Sequence, residues 1–150
     1  MVGLPGCGKT TYVRKHLKHA LRISLDDLRL MFSGKTFDAR IEPAVAVAAE
    51  ALMKAMAHYA GATKTDLVLD ATNVTRARRA LPIALARKYG LSPVAVFLEC
   101  PVPVAQSRNI RRSVPVPAPI VESFGQRLEP PTIEEGFEEV IRVRDGHGIS

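Results

Sequence analysis

Gly3-Leu4-Pro5-Gly6-Cys7-Gly8-Lys9-Thr10, with Thr11 directly after it, sets glycines, a lysine and a hydroxyl at the spacing G-x-x-x-x-G-K-[ST]. Glycines let a backbone curl so that successive N–H groups point inward at phosphate oxygens. The amides of Gly6, Cys7, Gly8, Lys9 and Thr10 form the predicted cradle, with Thr11 at its edge. Pro5, lacking an N–H, must sit outside it. Lys9 is expected to reach the β- and γ-phosphates of ATP, and the Thr10 hydroxyl to hold Mg²⁺. The helix that follows would aim its positive end at the same phosphates. Cys7 lies where such amides favour anions, so its thiolate is expected to be stabilised and to alkylate faster than that of Cys100.

Other polar groups recur where strands should end. Leu21, Ile23 and Leu25 alternate with Arg22 and Ser24 and lead into Asp26 and Asp27, while Leu67-Val68-Leu69 leads into Asp70-Ala71-Thr72-Asn73. Arg29 lies three residues beyond Asp26, a spacing that shares one helical face. Arg108 and Arg112, four apart, share another, with Arg111 pointing elsewhere. Arg76, Arg78 and Arg79 at a helix start either follow a nucleic-acid backbone or form an exposed basic turn. His16 and His19 have the spacing of a metal pair but no third ligand nearby, and read as solvated, as do His58 and His147.

The elements that must position these groups follow from periodicity. Helices are predicted from Lys9 to about His19 and from Asp26 through Phe32. A long helix starts at Pro43, with Val45, Ala48, Leu52, Met56 and Tyr59 as its apolar stripe and Gly61 as its end. Another runs from Arg76 to Tyr89, buried along Ala77, Leu81, Ala84 and Leu85, with Gly90 beyond. Val94–Leu98 is apolar throughout, as a strand covered on both faces should be. A helix opening at Pro103, an extended run through Pro115, Pro117 and Pro119, a short helix with Val121 and Phe124 inward, a strand over 137–143 and a loose tail over 145–150 complete the chain. Alternating strands and helices give an α/β fold with a mostly parallel sheet. Only Met1 and Val2 precede Gly3, where a buried strand is expected. The first strand is therefore either vestigial or continued upstream, and the second alternative implies a gain in stability on restoring it.

With 150 residues the default is one domain. The net charge of +6 suits a polyanionic partner. The two cysteines, far apart and in no metal-binding spacing, suggest a reduced, cytoplasmic protein. No stretch is long and apolar enough to span a membrane.

The ordered set GLPGCGKTT, ISLDDLR, LVLDATN followed by RARRA, ECPVP, SRNIRR and PPTIEEGFEEV, from Gly3 to about Val143, resembles the P-loop 5′-hydroxyl polynucleotide kinases and the related AAA-type small ATP-binding kinases. The resemblance implies a three-layer P-loop kinase fold over 1–150, with a truncated first strand and a helical lid over about 102–118. It implies ATP and Mg²⁺ as cofactors, and transfer of the γ-phosphate to a 5′-hydroxyl end of RNA or DNA. Lys9, Asp26, Arg108 and Arg112 take the catalytic roles, Asp26 accepting the hydroxyl proton and the two arginines closing over the phosphates. Arg29, Asp70 and Asn73 fall on the acceptor side, Asp70 orienting an arginine or a metal-bound water. The residues alone leave other readings open: Asp26 or Asp27 as a helix cap, Asp70 with Thr72 and Asn73 as the next cap, and the arginines as a solvated face. A small-molecule kinase of a sugar, nucleoside or antibiotic, or an ATP-binding module without transferase activity, are the competing functions.

Overall fold

The structure, a computed structural model, describes residues 1–144. Its elements run α1 (Lys9–His16), β1 (Leu21–Ser24), α2 (Leu25–Ser33), α3 (Glu42–Thr63), β2 (Leu67–Asp70), α4 (Arg76–Lys88), β3 (Val94–Glu99), α5 (Val102–Asn109), α6 (Ala118–Gln126), a 3₁₀ turn (Ile133–Glu135) and β4 (Glu139–Arg144). β1 pairs in parallel with β2, Leu21 opposite Leu67 and Ser24 opposite Asp70. β3 pairs in parallel with β4, Val94 opposite Glu139. The stub Met1–Gly3 joins the two pairs. The Met1 amine donates to the Leu69 carbonyl (3.0 Å), Val2 exchanges bonds with Val96 and Leu98 (2.8 and 2.9 Å), and the Gly3 N–H reaches Thr72 (3.0 Å). The parallel bridge Val2–Phe97 is the strand pairing this stub makes among the described residues, and it is central in position.

Its surroundings are apolar. Val2 and Leu4 are both buried, and Leu4 packs with Val13, Val68, Val96, Leu98, Val121 and Val143 in the main core. β3 is buried over Ala95–Leu98, as its unbroken apolar run predicts. Ser24, at the end of β1, caps α2 by accepting the Asp27 N–H (3.2 Å), so neither Asp26 nor Asp27 is the cap. Thr75 caps α4, which removes the capping reading of Asp70.

Several boundaries and faces differ from expectation. α1 stops at His16, where Leu17 leaves helical geometry. α3 runs past Gly61 to Thr63 and ends on Lys64 in the left-handed region (φ 56°). Its buried side is Val45, Ala49, Ala57, Ala60 and Gly61, while Leu52 and Tyr59 are exposed. Gly61 is needed inside the helix because any Cβ there would collide with the Tyr89 carbonyl. Small residues thus let α3 approach α4; of the expected stripe Val45 is buried, Ala48 and Met56 are half-buried, and Leu52 and Tyr59 face out. α4 buries Arg79, Ile83 and Leu85 instead of Ala77 and Ala84. The last strand starts two residues later than expected, and the predicted tail over 145–150 lies outside the described residues.

Arg79 explains the rotation of α4. Its guanidinium forms a fork on Glu135 (2.7 and 2.7 Å) and donates to the Asn73 carbonyl (2.9 Å), with both partners' side chains 2% exposed. Burial opposes ionisation of Glu135, but the Arg79 hydrogen bonds prevail and hold its carboxyl below the usual range. Arg79 is therefore a structural tie, which overturns its reading as a nucleic-acid contact.

Cys7 is also corrected. It is buried in the main core, and burial together with the neighbouring Cys100 thiol pushes its own thiol up to about 12. Two predictions follow from this packing. Cys100, which is partly exposed, should alkylate well before Cys7 in a timed labelling experiment read by mass spectrometry; faster labelling of Cys7 would contradict the burial. Glu135→Ala strands the buried Arg79 charge and should cost about 3–5 kcal/mol in urea unfolding, against little change for an exposed site such as Lys54→Ala. An unchanged midpoint for Glu135→Ala would contradict the role assigned to the pair.

Candidate active site

A cleft of about 880 Å³ opens at the carboxyl ends of the strands, lined by the loop after Met1–Gly3, the start of α2, the Asp70–Thr75 segment and residues of α5 and α6. This is where ligands sit in open α/β sheets. The loop is shaped by close approach. Gly6 has φ 87°, and a Cβ on it would collide with the Ala105 carbonyl of α5. Gly8, at φ 90°, turns the chain into α1. Among the described residues the N–H groups of Gly6, Gly8, Lys9 and Thr10 donate to no protein acceptor, whereas the Cys7 N–H is spent on Leu4 (3.2 Å). Of the five amides expected in the cradle, four are therefore free and that of Cys7 is spent. Thr11 is exposed beside it and lines the cleft. Lys9 Nζ donates to the carbonyls of Gly3 (2.9 Å) and Leu4 (2.7 Å), which holds it along the loop, and burial pushes its ammonium below its ordinary pKa.

The Thr10 hydroxyl donates to Asp70 Oδ2 (3.0 Å), a carboxylate whose side chain is 3% exposed. Arg22 Nε and Nη2 grip the same oxygen (3.0 and 2.8 Å), and Arg22 also pairs with Asp27. Asp70 Oδ1 receives no hydrogen bond from the described residues. A hydroxyl and a carboxylate oxygen side by side are hard donors of the kind Mg²⁺ takes, and the free amides fit an anion beside them. The residues thus fit ATP·Mg²⁺, with Asp70 joining Thr10 on the metal side. The resemblance implied that Asp70 orients an arginine or a metal-bound water on the acceptor side, and Asp70 is found on Arg22 and Thr10. Its register opposite Ser24, next to the stub that launches the loop, was the signal available for the alternative.

Asp26 stands in the first turn of α2 and lines the cleft. Its two oxygens are held separately, Oδ1 by Arg29 Nη1 (2.9 Å) and Oδ2 by Arg112 Nη2 (3.0 Å), the latter across 86 positions of sequence. Arg29 is bound at its other edges by both oxygens of Glu42 (2.8 and 2.9 Å), which sequence reasoning did not single out. Arg29 is thereby a charge-balanced strut between α2 and α3, and its expected grip on an acceptor phosphate is weakened. Asn73 lines the cleft with φ 44° but gives its side-chain N–H to the Met1 carbonyl (2.9 Å), so it secures the stub instead of reaching an acceptor. Arg108 and Arg112 line the cleft and Arg111 is exposed outside it, but not as one helical face: α5 ends at Asn109, and Arg111 and Arg112 stand in the turn beyond it. His16 and His19 are both exposed on and just after α1. No helix among the described residues is long and apolar enough to cross a membrane.

Comparison with known proteins agrees with this architecture. Over 69 residues the chain is 36% identical to the L-seryl-tRNA(Sec) kinase of Mus musculus, a stretch that is 46% of this chain and 19% of that protein. The chain therefore spans a small part of that relative. The structure of a gluconokinase from Sinorhizobium meliloti 1021 superposes with a TM-score of 0.59 at 17% identity, covering 98% of this chain and 81% of the other, and shares the fold. Residues 1–131 match the sequence model of the family described as AAA domain, and the chain belongs to that family, in a P-loop kinase fold.

Proposed function

We propose that the chain is an ATP-dependent phosphotransferase that moves the γ-phosphate to a hydroxyl. The observation that carries this is the meeting, in one cleft, of the Lys9–Thr10 loop, Asp26 and the α5–α6 segment through Arg112. The free amides and Lys9 bind the phosphates, and Thr10 with Asp70 holds the metal. ATP·Mg²⁺ bound there supplies the transferable phosphoryl group and neutralises part of its charge. Asp26 orients the acceptor hydroxyl and takes its proton. Arg112, now on Asp26, and Arg108 supply charge to the transferring group as the segment over about 102–118 closes as a lid. Phosphoryl transfer asks for positioning and charge neutralisation more than for a strong base, and this arrangement supplies both.

The acceptor this geometry fits best is a small alcohol. Arg29 is occupied by Glu42 and Arg79 is buried on Glu135, so two of the basic residues that would follow a polynucleotide are already spent. A 5′-hydroxyl end of RNA or DNA is the second reading, favoured by the contact between Arg29 and Asp26. The names of the similar proteins point both ways, one to seryl-tRNA and one to gluconate.

Lys9→Ala should weaken ATP binding and abolish transfer. Asp26→Asn should bind ATP as the parent does and lose roughly 10²-fold or more in rate. Asp70→Asn should raise the Mg²⁺ concentration needed for half-maximal rate while leaving nucleotide binding without metal unchanged. Calorimetry with a non-hydrolysable ATP analogue, beside steady-state transfer to a panel of alcohols and 5′-hydroxyl oligonucleotides, reads all three. Full activity of Asp26→Asn would remove Asp26 from the chemistry.

A further inference from the structure

Seven cationic side chains line the cleft against three carboxylates. All three carboxylates are engaged: Asp26 by Arg29 and Arg112, Glu42 by Arg29, and Asp70 by Arg22 and Thr10. On the proposed function, Lys9, Arg108 and Arg112 answer the triphosphate. That leaves Arg14, on the helix that follows the loop, and Arg78 and Arg127, at the other wall, without a task. Among the described residues Arg78 makes no side-chain hydrogen bond or ion pair, and Arg127 donates only to the Ser123 carbonyl of its own helix (3.2 Å). Both are exposed.

They are also brought to one place. Arg78 stands in the first turns of α4. Arg127 follows α6, and two residues later the Glu129 N–H donates to the Val74 carbonyl (2.8 Å) while the Glu129 carboxylate accepts the Arg76 N–H (2.5 Å). The segment carrying Arg127 is thus fixed against the start of α4, and the Glu129 carboxylate between them in this junction accepts from a backbone donor instead of an arginine side chain. The Arg127 guanidinium lies over the Phe124 ring, 5.3 Å from its centroid, which orients it toward the cleft that Phe124 also lines. An unpaired guanidinium pair with an apolar wall beside it suits a charged group on a small organic body.

We propose that Arg78 and Arg127 form an oxyanion subsite for the acceptor, so that the substrate is a small alcohol bearing a carboxylate or a phosphate. The inference rests on the phosphotransferase reading and deepens it by naming the substrate class. The two arginines bind the anion away from the reacting hydroxyl and set its approach to Asp26.

The test uses the full chain with a non-hydrolysable ATP analogue and Mg²⁺ saturating the loop, and inorganic phosphate as the probe, followed by calorimetry. The parent should bind one further equivalent of phosphate, and the double variant Arg78→Gln/Arg127→Gln should bind it about tenfold or more weakly, with unchanged analogue affinity and an unchanged melt. In transfer assays glycerate and glycerol phosphate should each be compared with glycerol and with a 5′-hydroxyl oligonucleotide. Either acid outperforming glycerol, with the advantage lost in the double variant, supports the subsite, and which acid wins separates carboxylate from phosphate. No phosphate binding beside the analogue, equal use of acidic and neutral alcohols, or preference for the oligonucleotide would overturn it while leaving phosphotransfer standing. Failure of the analogue itself to bind would overturn the phosphotransferase reading and the subsite with it.

Discussion

Two strand pairs that share no direct hydrogen bond among the described residues are held as one sheet by Met1, Val2 and Gly3. This is the constraint on which the site depends. The stub is buried, bonded on both sides, and steadied from the far end by Asn73. Because it lies between β2 and β3, the loop it launches emerges at the carboxyl edge of both. Thr10 then falls within hydrogen-bond distance of Asp70, and Gly6 against α5. A one-residue shift of the stub would flip its side chains to the other face and carry the loop out of register with Asp70.

Charge balance organises what surrounds that loop. Asp26, Arg29, Glu42 and Arg112 form a chain of alternating sign linking α2, α3 and the segment after α5. Partly exposed ion pairs contribute little to stability individually. Their value here is positional, because each fixes a group that faces the cleft. The contrast with Arg79–Glu135 is instructive. That pair is buried, and its job is to anchor α4 and the Asn73 carbonyl, which keeps the Thr72–Thr75 segment in place beside the loop.

Much of this was legible in the sequence, for physical reasons. Period-2 and unbroken apolar runs located the strands, and the glycine-lysine-threonine spacing located the loop. What periodicity could not give was the partner of each charge. Arg79 and Arg78 are neighbours with the same propensities, yet one is buried on Glu135 and the other faces the cleft. Only the distant position of Glu135 decides between them. The contact between Asp70 and Thr10 was not legible because the distance between them is set by strand order and not by local sequence. Cys7 was misread because a loop rich in amides suggests a stabilised thiolate, while the side chain itself turns into the apolar core. The α3 stripe held at Val45 and failed further along for a related reason: the tightest packing goes to the smallest residues, and Ala49, Ala57 and Gly61 carry no hydrophobic signal strong enough to outrank Leu52 and Tyr59.

Phosphoryl transfer to an acceptor rather than to water is what distinguishes a kinase site of this kind from an ATPase. The direct measurement is ³¹P NMR of ATP·Mg²⁺ incubated with the protein, with and without a panel of alcohols. The account predicts that ADP appears together with a phosphomonoester resonance that depends on the alcohol supplied. Formation of ADP and inorganic phosphate at the same rate whatever alcohol is present, or no consumption of ATP with any of them, would contradict it.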